Sequence, residues 1–89
     1  MGITKKQLEQ DFGFERCEDG TIGKFTNWGR FLFKNNAIEA RTYFDEHIDI
    51  ITTEYMNVKE FKLIFGRFVH SVTKRIKQRL TKLSYKRIH

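Results

Sequence analysis

The clearest chemistry in this chain lies in the cations of its last third. Arg75, Arg79, Lys82 and Lys86 stand at i, i+4, i+7 and i+11, a spacing that puts side chains on one face of a helix. Lys74, Lys77 and Arg67 fall on the opposite flank. Guanidinium and ammonium groups so arrayed can follow a phosphate backbone and displace its counterions. The bland alternative is a solvated helix surface, but such a surface normally mixes signs to gain i,i+4 ion pairs. Residues 61–89 instead carry nine Lys/Arg and no Asp/Glu, whereas residues 1–60 carry eight Lys/Arg and all eleven acids. The net charge of +6 is therefore concentrated at one end. That asymmetry points to a polyanion, DNA or RNA, or to an acidic protein surface. An interfacial membrane helix fits less well, because the apolar face formed by Val72, Ile76, Leu80 and Leu83 is narrow and has no aromatic.

Residues that could support catalysis or metal binding do not converge. His47, His70 and His89 are far apart in sequence, and Cys17 is the one cysteine. A zinc site needs three or four converging ligands. Asp45, Glu46, Asp49 and Glu54 cluster around His47 and could bind a cation, but their spacing also fits the exposed face of a helix. No glycine-rich phosphate loop, nucleophile elbow or paired-histidine motif is present. No enzymatic activity, cofactor or metal is expected. Trp28, Phe31 and Phe33 could form a base-stacking platform, but aromatics in so short a chain are more often core. The string Gly29–Phe33 also lacks the Gly or Ala between aromatics that an RNA-recognition strand carries.

The elements that must position these residues are constrained by size. Eighty-nine residues make a single domain whose folding buries roughly 60 to 65 % of its unfolded surface. No internal disulfide can reinforce it, so nine Phe, three Tyr and one Trp must supply a dense core. A lone cysteine suits a reducing compartment. The polar start excludes a signal peptide from the expectation, and no apolar run approaches the roughly 18 to 20 residues that cross a bilayer. A soluble, cytoplasmic chain without a membrane span is expected.

Along the chain, Thr4-Lys5-Lys6-Gln7 has the form of a capping box, Ile3 and Leu8 occupy staple positions, and Gly13 suits a left-handed C′ residue. A short helix over 5–12 is predicted. From Phe14 to Phe25 a period of two predicts a hairpin closed by a type I′ Asp19-Gly20 turn, pairing Glu18 with Thr21, Cys17 with Ile22, Glu15 with Lys24 and Phe14 with Phe25. Cys17 would then be a small buried hydrophobe in mid-strand. Asn27-Trp28-Gly29 reads as a second turn and 30–34 as a third strand. Asn36 is ambiguous. It can cap a helix through about Thr52, or it can join Asn35 in a I′ turn that starts a fourth strand over 37–43. The helix is preferred because Ala40, Phe44, His47, Ile48, Ile51 and Tyr55 keep helical spacing, although the β-branched run after Ile48 argues against it.

The last element is predicted to start at an Asn57 cap with Glu60 at N3 and a Met56/Phe61 staple. Phe61, Ile64, Phe65, Phe68, Val69, Val72, Ile76, Leu80 and Leu83 form its apolar stripe, and Gly66 costs it about 1 kcal/mol relative to alanine. The expected fold is α+β: a short N-terminal helix, a small antiparallel β-meander of two or three strands, a middle helix and a long basic C-terminal helix. Residues 72–89 would be a basic helical extension that projects, or packs on a second copy as a homodimer. The expected function is that of a small accessory protein, which binds nucleic acid through phosphate contacts from Arg75, Arg79, Lys82 and Lys86, with Lys74, Lys77 and Arg67 secondary. The alternative is a protein-binding module or inhibitor, phage- or mobile-element-like in composition, that docks on a larger enzyme.

Overall fold

The computed structural model describes the backbone of residues 2–88 and the side chains of residues 2–78. Helix α1 (Lys5–Asp11) is followed by strands β1 (Glu15–Arg16), β2 (Ile22–Phe25), β3 (Gly29–Lys34), β4 (Ala37–Thr42) and β5 (His47–Thr52), and then by helix α2 (Val58–Ile88). The strands form one antiparallel sheet in sequential order, β1-β2-β3-β4-β5. The fold is therefore α+β, with a five-stranded meander and two helices.

Both helices begin as their local sequences dictate. The Gln7 amide donates to Thr4 Oγ1 at 3.2 Å, and the Thr4 amide donates to Gln7 Oε1 at 2.9 Å, a reciprocal capping box. Ile3 and Leu8 are buried as its staple. In α2 the Glu60 amide donates to Asn57 Oδ1 at 2.8 Å, while Asn57 Nδ2 donates to Glu60 Oε1 at 3.0 Å.

The middle helix expected over 36–52 is absent, and two strands stand in its place. Asn35 and Asn36 have φ of 52° and 57°, which is the left-handed pair of a type I′ turn. The turn sets Lys34 opposite Ala37 and carries the chain directly into β4. Ile38 and Ala40 then point into the core while Glu39 and Arg41 point out, a period of two. The helical spacing of Phe44 and Tyr55 was coincidental, since both lie in loops and are exposed. The β-branched run 48–53 is better accommodated in a strand, where its side chains keep their preferred rotamers.

The first hairpin is shifted by one residue from expectation. Glu15 pairs with Gly23 and Arg16 with Ile22. The Gly20 amide donates to Cys17 O at 3.0 Å, and the Cys17 amide donates to Thr21 O at 2.8 Å. Gly20 alone of the loop has positive φ, at 86°. This is a three-residue loop closed by a left-handed residue, not a type I′ turn. Cys17 consequently sits half-buried at the loop entrance instead of in mid-strand. The same design recurs between β4 and β5, where the Asp45 amide donates to Thr42 O and the Thr42 amide to Glu46 O, with Asp45 at φ 65°.

One face of the sheet is covered. Ile22, Phe31, Phe33, Ile38 and Ala40 meet Phe61, Phe65, Phe68, Val72 and Ile76 of α2, and Leu8 and Phe14 close one end. The rings interlock edge-to-face: Phe31 against Trp28 at 5.3 Å and Phe65 at 5.4 Å, Phe12 against Phe61 at 4.7 Å. Such pairs each contribute about 0.5 to 1.5 kcal/mol beyond area burial. Phe31 and Phe33 are thus core residues and Trp28 is packed on them, so they form no stacking platform. The other face of the sheet is open, as is common for antiparallel sheets.

Candidate nucleic-acid interface

Two surfaces remain after the core is built: the open sheet face and the side of α2 that points away from the sheet. On the open sheet face Arg41 bonds Glu39 at 3.2 Å and Asp45 at 2.9 Å, Arg30 bonds Asp45 at 2.8 Å, and His47 Nδ1 meets Glu39 Oε2 at 2.5 Å. The hydrogen bond from His47, followed by that from Arg41, holds the Glu39 carboxyl below the usual carboxylate range. Of these groups Arg30 and Glu39 line a groove of about 800 Å³, together with Phe25, Leu32 and Ile50. The groove is mixed in sign, and its one arginine, Arg30, is already engaged.

Two of the acids around His47, Asp45 and Asp49, have structural duties. They do not form the exposed face of a helix, as had been expected. Asp45 closes the β4–β5 loop. Asp49 accepts from its neighbour's amide, Ile50 N–H, at 2.8 Å and from Arg75 of α2. The Asp49 carboxyl is held low, first by Arg75 and then by the Ile50 amide. A donor on the edge strand β5 is thereby occupied, which blunts the edge against pairing with another chain. Among the described residues no group of three His, Cys, Asp or Glu could hold a metal ion.

The outward side of α2 is different. The helix buries Phe61, Phe65, Phe68, Val72 and Ile76. Lys59, Lys62, Leu63, Gly66, Arg67, His70, Lys74 and Lys77, all exposed, follow the complementary three- and four-residue spacing. Lys59, Lys62, Arg67 and Lys74 make no ion pair among the described residues. Leu63 stands 59 % exposed in their midst.

The residues singled out in the sequence separate accordingly. Arg67, Lys74 and Lys77 lie on this outward side. Arg75 stands on the other flank, as its helical spacing requires, and there it bonds Asp49 on β5 and ties α2 to the sheet. The side chains of Arg79, Lys82 and Lys86, and of Leu80 and Leu83 expected at a dimer seam, lie outside the described residues. Sequence reasoning missed Lys59 and Lys62 as members of the same row. Stepping back from Lys74 by one helical turn at a time, through His70 and Gly66, reaches Lys62 and then Lys59.

What the fold and this surface define is a one-sided β-meander backed by a single helix, with that helix presenting cations outward. No known protein family, curated protein or solved structure matches the chain. No helix is long and apolar enough to cross a membrane among the described residues.

Proposed function

We propose that this domain is a non-enzymatic accessory protein that binds nucleic acid along the outward side of α2. Lys59, Lys62, Arg67 and Lys74 contact phosphates there, with Lys77 on the same side. One observation carries the reading: the arginines of the sheet face stand beside carboxylates, whereas Lys59, Lys62, Arg67 and Lys74 face outward on α2 and make no ion pair among the described residues. Lys59 and Lys62, and likewise Lys74 and Lys77, set like charges three residues apart, which gains a solvated helix nothing by itself. Such a row is favourable once it displaces counterions from a polyanion. Arg79, Lys82 and Lys86 continue the basic run in sequence, and a basic helical end over 72–89 would lengthen the contact. Arg75 has a structural part.

The deciding measurement is fluorescence anisotropy with duplex and single-stranded probes at low salt. Lys62→Glu/Arg67→Glu is expected to abolish binding while barely moving the melting temperature, because exposed charges contribute little to stability. An absence of binding by the wild-type chain to any probe refutes the proposal. A second reading, docking on an acidic protein surface, is favoured by exposed Leu63, since a phosphate backbone has less use for an apolar centre than a protein groove does. Retention of a partner after nuclease treatment of the lysate would speak for it.

A further inference from the structure

Gly66 stands well inside α2, where the fold gives no reason for a glycine. Its φ is not left-handed, and a Cβ built on it would meet nothing within 4 Å. Each of the other five glycines is accounted for within the chain. Gly13 and Gly20 have positive φ, and at Gly2, Gly23 and Gly29 a Cβ would press on neighbouring backbone. Gly29 is the extreme case, with Arg41 O only 2.1 Å away. In a helix interior glycine is weaker than alanine, because it loses more backbone entropy on folding. Position 66 therefore gives up stability for something outside the chain.

The surroundings of Gly66 indicate what that is. The missing side chain leaves a shallow, chiefly apolar dent lined by Lys59, Lys62, Leu63, Arg67 and His70, and every ionisable group in that lining is basic. Glycine is the residue used where a backbone must approach a ligand closely. We propose that Gly66 is the point at which the sugar–phosphate strand of a bound nucleic acid touches α2. The strand seats against the helix backbone at Gly66. Lys59 and Lys62 reach phosphates on one side, Arg67 reaches those on the other, and Leu63 packs on a sugar. This inference rests on the nucleic-acid reading above and adds the contact point to it.

The test uses the full chain, a short fluorescein-labelled duplex DNA, the matching single strands in DNA and RNA, and poly-L-glutamate. Gly66→Ala is expected to raise Tm by roughly 4 to 8 °C and to weaken nucleic-acid binding by about tenfold or more, since a methyl group intrudes on the contact. Ser71→Ala, an exposed position off the row, should also favour the helix and leave affinity unchanged. A fall in Tm on Gly66→Ala would overturn the premise that the fold has no need of the glycine. A raised Tm with affinity within about twofold of wild type would overturn the contact point while leaving the nucleic-acid reading intact. Failure of the wild type to bind any nucleic-acid probe would remove both. Binding to poly-L-glutamate alone, weakened by Gly66→Ala, would assign the dent to an acidic polypeptide and overturn the proposal made here.

Discussion

Ionic strength is the perturbation that separates a phosphate-binding row from a merely basic surface, and its effect can be worked out from the helix. Lys59, Lys62, Arg67 and Lys74 are exposed on one side of α2 and make no ion pair among the described residues. If each neutralises one phosphate of a duplex, the log of the binding constant should fall with log salt at a slope of about −3.6. Raising salt from about 50 to 200 mM would then weaken binding by about 150-fold. Replacing Lys62 and Arg67 by glutamine removes two contacts, so the slope should fall to about −1.8 and the same salt step should cost only about 12-fold. Arg75→Gln is the internal control. Arg75 is already held by Asp49, so its loss should leave the slope near −3.6 and lower stability by no more than about 1 kcal/mol, the range of a solvent-exposed pair. Anisotropy titrations of the three proteins against one labelled duplex, at four or more salt concentrations, give all the slopes. A wild-type slope shallower than about −1.8, or a slope that changes with Arg75 but not with Lys62 and Arg67, would refute this reading of the helix.

Other expectations bear on the scaffold. Gly20→Val should cost more than about 1 kcal/mol, read from a urea melt, because its φ of 86° excludes a β-branched residue. Thr53 is fully buried and its Oγ1 has no hydrogen-bond partner among the described residues, so Thr53→Val should raise stability by about 1 kcal/mol in the same assay. The Glu39 carboxyl is depressed in the folded chain by His47 and then Arg41. Its contribution to stability is therefore present above the ordinary value of 4.5 and is lost as pH falls through the lower folded value. Glu39→Gln should be less stable than wild type at neutral pH, with the gap closing in acid. A gap that stays constant down to about pH 3 would mean that the carboxylate is not the stabilising group.

Much of this protein was legible from residues that act on their near neighbours. Thr4 with Gln7 and Asn57 with Glu60 start the helices because a cap is satisfied within one turn. Alternation through Phe31, Leu32 and Phe33 set which side chains of β3 enter the core. The run of cations without acids after residue 60 was visible as composition. What the sequence left open was decided by partners far away in the chain. Residues 37–52 satisfy a helical spacing and a strand spacing almost equally well. The choice went to strands because Asn35-Asn36 can turn left-handed and β3 offers a ladder to pair with, whereas a helix there would leave that edge open. The one-residue shift of the first hairpin follows from a three-residue loop with a left-handed Gly20, which the Asp-Gly pair by itself does not distinguish from a type I′ turn. The parts assigned to the cations needed the tertiary structure most. Helical spacing already separated Arg75 from Lys74 and Lys77, but only folding brings it onto Asp49, twenty-six positions earlier. Sequence alone could show that one end of the chain was basic. Only the packing of α2 on the sheet determined which of those charges are spent on the fold and which are left facing outward.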